Sequence, residues 1–416
     1  MTEPRPQAGR PAALAFIFVT IVLDMFALGL VVPVLPHLVE DFVGGDTAGA
    51  ARVYGVFGTV WALMQFVSMP VMGALSDRFG RRPVILLSNL GLGASYLLTA
   101  VAPGLAWLLV ARIVSGICAA SISTGMAYVA DVTPAPKRAA AFGRMGVAFG
   151  LGFVLGPALG GLLGSVDPRL PFWVAAALSL VNAAYGVLIL PESLPPERRR
   201  SFAWRRANPV GSLALLRSSH GLPGLAGVVF LSNLAHAAMP ATFVLYTAYR
   251  YGWQERDVGL VLALVGVCSA LVQGLAVGPV VRRWGERRAL LAGLGFGAAG
   301  FLAYGLAPTG TLFLAAVPVV ALWGIASPAA QGIMSRLVAP TQYGELQGAN
   351  GAVMGVATMI GPWMFAATFA WFIGDGARLH VPGAAFLLAA LLLVAGAVLA
   401  RSVTAQPGTG DGRETA

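Results

Sequence analysis

Two charged side chains sit where charge is expensive. Asp24 lies in Leu23-Asp24-Met25-Phe26-Ala27-Leu28-Gly29, and Arg112 opens Arg112-Ile113-Val114-Ser115-Gly116, each within a long apolar stretch. A charge at membrane depth is costly, so such groups usually pair or face a cavity with a function. Burial disfavours an ionised carboxyl and a nearby cation favours it, so a carboxyl so placed can exchange a proton as its surroundings alternate. Asp24 is therefore the candidate proton- or substrate-coupling carboxylate, with a structural hydrogen-bonding role as the alternative. Arg112 either serves a cavity or forms a salt bridge that holds helices together.

A second chemical pattern is Gly73-x-x-x-Asp77-Arg78-x-Gly80-Arg81-Arg82. Its glycines suit a tight turn between helices, and Asp77 can cap a helix or pair with an arginine. It reads as a gating loop or, more plainly, as a solvated basic turn. A third is the small-residue run Gly150, Gly152, Gly156, Pro157, Gly160, Gly161, whose spacing allows close approach of helix backbones and a kink at Gly-Pro. The uncharged cavity candidates are Gln65, Ser95, Asn182, Asn233, His236, Ser269, Gln273 and Gln331, each of which could equally be an interhelical hydrogen-bond partner. His236 is the only histidine well inside an expected span, and imidazole suits proton traffic. Trp61, Phe66, Tyr96, Phe243 and Trp323 could line an apolar cavity or simply fill the core.

Composition fixes the elements that must position these groups. Of 416 residues, 57% are apolar and only 11% charged, with a mean hydropathy of +0.79. A soluble domain would be roughly a quarter charged, so lipid must cover most of this surface. Spanning the hydrocarbon takes about 20 helical residues. Suitable stretches fall at 12–36, 53–75, 83–102, 105–130, 139–164 and 171–190, then at 224–248, 257–281, 288–307, 310–337, 344–372 and 381–401. The expected fold is all-α and polytopic, with twelve transmembrane helices in two pseudo-symmetric six-helix bundles, 12–190 and 224–401. A cytoplasmic tail at 1–11, a cytoplasmic linker at 191–223 and a disordered tail at 402–416 complete the chain.

Charge placement sets the orientation. With the N-terminus inside, 21 of the 27 Lys and Arg residues fall on the cytoplasmic side, and only Arg52, Arg169, Arg250, Arg256 and Arg378 fall outside. This is a strong positive-inside bias, with both termini cytoplasmic. The net charge of +10 is spread over short loops rather than one soluble face, which argues against nucleic-acid binding. Cys118 and Cys268 lie in apolar stretches without CxxC spacing, so neither a metal site nor a disulfide is expected. HExxH, GxSxG and P-loop patterns are absent, which disfavours an enzyme or an ATP-driven pump and leaves an ion gradient as the energy source, with no cofactor.

An internal repeat supports two equivalent halves. Gly278-Pro-Val-Val-Arg282-Arg283-Trp-Gly285-Glu286-Arg287 follows the first loop pattern about 205 residues later. Gly355, Gly361 and Pro362 repeat the spacing of Gly150, Gly156 and Pro157, and Pro340 matches Pro134.

Taken together, these motifs resemble the major facilitator superfamily, and from Leu23 to Gly161 the chain is similar to its tetracycline/proton antiporter group. Trp61 to Gln65, Ser76 to Pro83 and Arg112 to Gly116 carry that likeness in the first half. Met239 to Thr242, Tyr251 to Trp253, Trp284 to Glu286 and Pro328 to Ser335 carry it in the second. The resemblance implies that the first loop locks the two halves when the cavity faces outward. Asp77 would approach the start of span 11, and Asp131 would pair with Arg78 or Arg82. It implies that Arg112 influences proton transfer and that the Gly150–Gly161 run is an antiporter signature. Three polar groups of tetracycline exporters are replaced. Their span 3 aspartate falls at Ser95, their span 8 histidine at or beside Ser269, and their span 9 aspartate near Gly297.

The expected function is a proton-driven exporter of apolar or amphipathic drugs in the bacterial cytoplasmic membrane, working as a monomer with protons, substrate and lipid as its partners. A nutrient importer would call for more hydrogen-bonding groups in the spans. A receptor or scaffold would not need the gating loops.

Overall fold

The computed structural model describes residues 10–404 apart from 120, 200–210, 219–220, 340–341 and 375. The two tails and the middle of the linker expected from sequence therefore lie largely outside the described residues. Within them the chain is helical, as it must be where no water is available to satisfy backbone N–H and C=O groups.

The first membrane segment is α1 (Arg10–Val31), prolonged after a turn by α2 (Leu35–Phe42). Next come α3 (Thr47–Phe79), α4 (Arg81–Ala100), then α5 (Leu105–Cys118) and α6 (Ser121–Val132), which together form one span. α7 (Arg138–Gly164) and α8 (Leu170–Ile189) complete the first half. In the second half, α9 (Leu222–His236) and α10 (Ala238–Tyr251) share a span, followed by α11 (Glu255–Leu271) and α12 (Val277–Leu306). α13 (Gly310–Ala321) and α14 (Ala326–Arg336) share the next, before α15 (Tyr343–Ile373) and α16 (Ala384–Val403).

Among the described residues, eleven helices are long and apolar enough to cross a membrane. One of them, Glu255–Leu306, runs to 52 residues and is interrupted at Gly285, where φ 75° and ψ 159° leave the helical region. With that break counted, the spans number twelve, as expected. The first span reaches further than sequence indicated, to Phe42. Pro36 stands in the first turn of α2, where a missing N–H costs nothing, so it starts a helix instead of ending one.

Contacts group the chain into two compact units. The first holds Met1–Pro209, Met239–Val267 and Met359–Pro382; the second holds Val210–Ala238, Cys268–Thr358 and Gly383–Ala416. The grouping cuts through second-half spans because parts of α11 and α15 pack tightly on first-half helices. A β-carbon on Gly259 would lie 2.4 Å from the Pro157 carbonyl oxygen, and one on Gly55 would lie 3.1 Å from the Pro362 carbonyl oxygen. Thr59 of α3 also wedges its hydroxyl into α15 beside Pro362. It donates to the Met359 carbonyl (3.0 Å) and accepts from the Trp363 N–H (3.2 Å), the donor and acceptor of one turn of that helix.

Candidate functional site

Asp24 is 8% exposed on α1, one turn beyond Thr20. Asn182 of α8, fully buried, donates from Nδ2 both to Asp24 Oδ1 (2.8 Å) and to the Thr20 carbonyl (3.0 Å). A small void beside the carboxyl is walled by Ile17, Ile21 and Ile85 and by Ile122 of α6. Asn182, read from sequence as a cavity residue, is thus the direct hydrogen-bond partner of the acid. One carboxylate oxygen is held by an amide in apolar surroundings, and among the described residues no cation is bonded to it.

Arg112 does not pair with Asp24. Among the described residues no carboxylate forms an ion pair with its guanidinium. Tyr96 of α4, named among the candidate aromatics, is 2% exposed.

The loop pattern organises around Arg81. Its Nη1 donates to Asp77 Oδ1 (2.7 Å) and Ser76 Oγ (2.6 Å), and its Nε to Asp131 Oδ2 (3.1 Å). The expected partner of Asp131 was Arg78 or Arg82; the structure instead gives Arg81. The reason is geometric. Gly80, at φ 105° and ψ 160°, turns the chain sharply so that Arg81 begins α4 facing back to the end of α3. Arg82 is used elsewhere, donating to the Gly186 and Val187 carbonyls at the end of α8. Arg78 is exposed and lies over the Phe79 ring at 5.0 Å.

Glu192, which sequence reading passed over, closes this arrangement. Its carboxylate accepts from the backbone N–H groups of Arg81 (2.9 Å), Arg82 (3.3 Å) and Leu194 (3.0 Å), so an acid from beyond α8 caps the start of α4. Tyr128 and Ser193 complete it, through the Pro191 carbonyl (2.9 Å) and Asp131 (3.3 Å). Glu192→Ala is expected to lower stability by about 1–3 kcal/mol, as loss of charged caps does. Glu192→Gln, which keeps an acceptor, should lose less. Thermal melting of the purified variants checks this, and equal melting of all three proteins would refute it.

The second half repeats this scaffold with its charges reversed. Gly285 matches Gly80 in backbone conformation. Adding 205 to Asp77, Arg81 and Asp131 gives Arg282, Glu286 and Arg336, and Arg336 Nη2 donates to Glu286 Oε1 at 2.8 Å. The span-end side chain thus clamps the residue after the glycine in both halves, acid on base in one and base on acid in the other.

The glycine run divides by face. Gly152, Gly156 and Gly160 of α7 lie against the α1 backbone that carries Asp24, Gly161 lies against Glu255 and Gly259 of α11, and Gly150 meets nothing. Pro157 sits inside the same helix. Of the other candidates, Ser95 spends its hydroxyl on the Leu92 carbonyl (2.8 Å) and Asn233 its amide on Val229 (2.8 Å). Gln65 and Ser269 are half-buried, whereas His236, Gln273 and Gln331 are exposed. Gly73 lies within α3 rather than in the turn, with nothing within 4 Å of where a β-carbon would stand.

The sequence pattern of the Major Facilitator Superfamily matches residues 17–362 and 225–415. The chain belongs to the Major Facilitator Superfamily. This transporter is 40% identical over 359 residues to the class C tetracycline resistance protein of Escherichia coli, covering 86% of this chain and 90% of that one. It is 34% identical over 360 residues to the class D tetracycline resistance protein of Salmonella ordonez, with the same coverage. Its fold is similar to that of the human organic anion transporter MFSD10 (TETRAN), with a TM-score of 0.69 and 25% identity over 95% of this chain and all of the other. The transporter is accordingly a multi-pass membrane protein with the twelve-helix fold of its superfamily.

Proposed function

We propose that this transporter is a proton-coupled antiporter that exports apolar or amphipathic drugs from the bacterial cytoplasm or inner leaflet. The observation that carries the reading is Asp24. It is a buried carboxyl in a membrane-spanning helix, held by an amide and not neutralised by a bonded cation. Such a group can hold a proton on one side of the membrane and release it on the other. Its relatives named for tetracycline resistance support a drug as cargo. Few charges lie inside the spans, which suits an apolar or amphipathic molecule better than a strongly anionic one. The cytoplasmic membrane, both termini inside and a monomer surrounded by lipid belong to the same reading.

Cells lacking their own pumps, loaded with tetracycline or with dyes, provide the test. Expression of the transporter is expected to lower the accumulated probe, and a protonophore to abolish that effect. Export that ignores the proton gradient would sink the coupling, and accumulation above control cells would favour uptake. Tetracycline is the informative probe, because Ser95, Ser269 and Gly297 stand where tetracycline exporters are expected to carry charged or imidazole groups.

A further inference from the structure

Level with Asn182 stands a second buried amide, Asn89 of α4. It is fully buried within a spanning segment, and among the described residues neither its Nδ2 nor its Oδ1 has a hydrogen-bond partner. The Oδ1 of Asn182 is buried without a partner as well. Such atoms are costly inside a membrane, where no bulk water compensates them. Helix packing relates the two amides. A β-carbon on Gly93 would lie 2.9 Å from Leu180 Cδ2 and 3.6 Å from the Ala176 carbonyl oxygen, and one on Gly186 would lie 2.6 Å from Leu86 Cδ2. α4 and α8 are therefore antiparallel in a register that sets Asn89 opposite Asn182. On the same side of α4, one turn before Asn89, is Ile85, which walls the void beside Asp24.

The Asp24 carboxyl makes opposite demands in its two states. Ionised, it only accepts hydrogen bonds; protonated, it also donates one. Asn182 meets the first demand, with Nδ2 donating to Asp24 Oδ1 (2.8 Å) and to the Thr20 carbonyl (3.0 Å). An amide turned by half a revolution about its Cβ–Cγ bond exchanges nitrogen for oxygen, so Asn182 can accept from the protonated carboxyl at the same place. Its Nδ2 then needs an acceptor where Oδ1 stands now. Asn89 can serve either orientation, donating to Asn182 Oδ1 or accepting from Nδ2, because its own amide is unspent at both ends. The other elements packed here compete for neither role. α4 and α6 bring Ile85 and Ile122 to the carboxyl, and α7 brings Gly152 against the adjoining Met25, all uncharged.

We propose that Asn182 and Asn89 are positioning residues for proton exchange at Asp24, a pair of amides that turns with the carboxyl so that a hydrogen-bond partner is in place in both protonation states. The carboxylate takes up a proton by forming an O–H bond and releases it by breaking that bond. Neither amide gains or loses a proton; each only exchanges donor for acceptor. The buried orphan atoms of both side chains are thereby accounted for as the reserve that the second state draws on. For its role in export this pair rests on the coupling reading of Asp24, while its contacts with the carboxyl are read spectroscopically.

Full-length transporter in lipid vesicles, with tetracycline as cargo, is compared with Asn182→Leu and Asn89→Leu, which remove the amides. Each is expected to lower gradient-driven export about tenfold, the scale of one lost hydrogen bond to a charged group, with substrate exchange and melting near those of the wild type. Asn182→Gln and Asn89→Gln keep the amide and should recover part of the loss. Infrared difference spectra between acid and neutral pH need no cargo. The protonated carboxyl band, identified by its absence from Asp24→Asn, should move to higher frequency in Asn182→Leu. An amide carbonyl change should accompany it in the wild type and weaken in both leucine variants. Unmoved bands or undiminished export would overturn the pair. So would a joint loss of melting, exchange and export, which would make the amides structural. If Asp24→Asn leaves protonophore-sensitive export intact, the coupling reading falls, and shifted bands would still leave the amides as partners of the carboxyl.

Discussion

Asp24→Asn is expected to reduce protonophore-sensitive drug export to the level of cells without the transporter, while the protein still folds and still binds its cargo. The substitution is nearly isosteric. It keeps an oxygen that can accept from Asn182, at the 2.8 Å separation of the native pair, and it removes only the ability to exchange a proton. Stability should therefore change little, since the burial of the site and its amide contact survive. Exchange of labelled substrate for unlabelled substrate across a membrane needs no net proton movement, so it should persist in the variant. Asp24→Glu retains the titratable group one methylene further out and should keep part of the driven transport. Protonophore-sensitive export by the Asp24→Asn protein would remove Asp24 from the coupling path. Loss of both exchange and driven transport, with normal folding, would make the residue a substrate ligand instead.

How far the sequence foretells these arrangements depends on the range of the forces involved. The spans follow from hydropathy because solvation by lipid acts on every residue of a 20-residue stretch. The equivalence of the halves follows from repeated glycines, because Gly80 and Gly285 both hold a backbone conformation with positive φ that other residues rarely adopt. Pairings are another matter. The resemblance pairs Asp131 with Arg78 or Arg82, whereas its partner in the structure is Arg81. The choice among Arg78, Arg81 and Arg82 depends on the direction in which the chain leaves Gly80, which no one-dimensional pattern records. Glu192 was passed over because its partners lie about a hundred residues away in the chain. The only available hint was an acid just past one span and an uncapped helix start at Arg81. Asn182 is legible only as one polar candidate among several, because its bond to Asp24 arises from the packing of α1 on α8.

Within the Gly150–Gly161 run, single alanine substitutions are expected to separate into harmful and harmless sets. A β-carbon at Gly160 would lie 2.2 Å from the Leu30 carbonyl oxygen, one at Gly156 2.6 Å from the Gly29 Cα, and one at Gly152 2.4 Å from the Met25 Cβ. At Gly156 and Gly160 the obstacle is backbone, which cannot swing aside as a flexible side chain can, so α1 and α7 must separate. Overpacking of this kind costs about 1–3 kcal/mol per site. Gly150 meets nothing within 4 Å, and Gly150→Ala replaces a poor helix former by a good one, a gain of up to about 1 kcal/mol. Melting of the purified proteins should therefore rank Gly150→Ala at or above wild type and Gly160→Ala and Gly156→Ala well below it. Export should follow the same order for a reason beyond stability. The displaced α1 also carries Asp24, so moving it away from α7 disturbs the hydrogen bond to Asn182 on α8. Equal damage at Gly150 and Gly160 would contradict the packing account and assign these glycines a role in helix flexibility. Normal melting with lost export at Gly156 would place the effect on Asp24 alone.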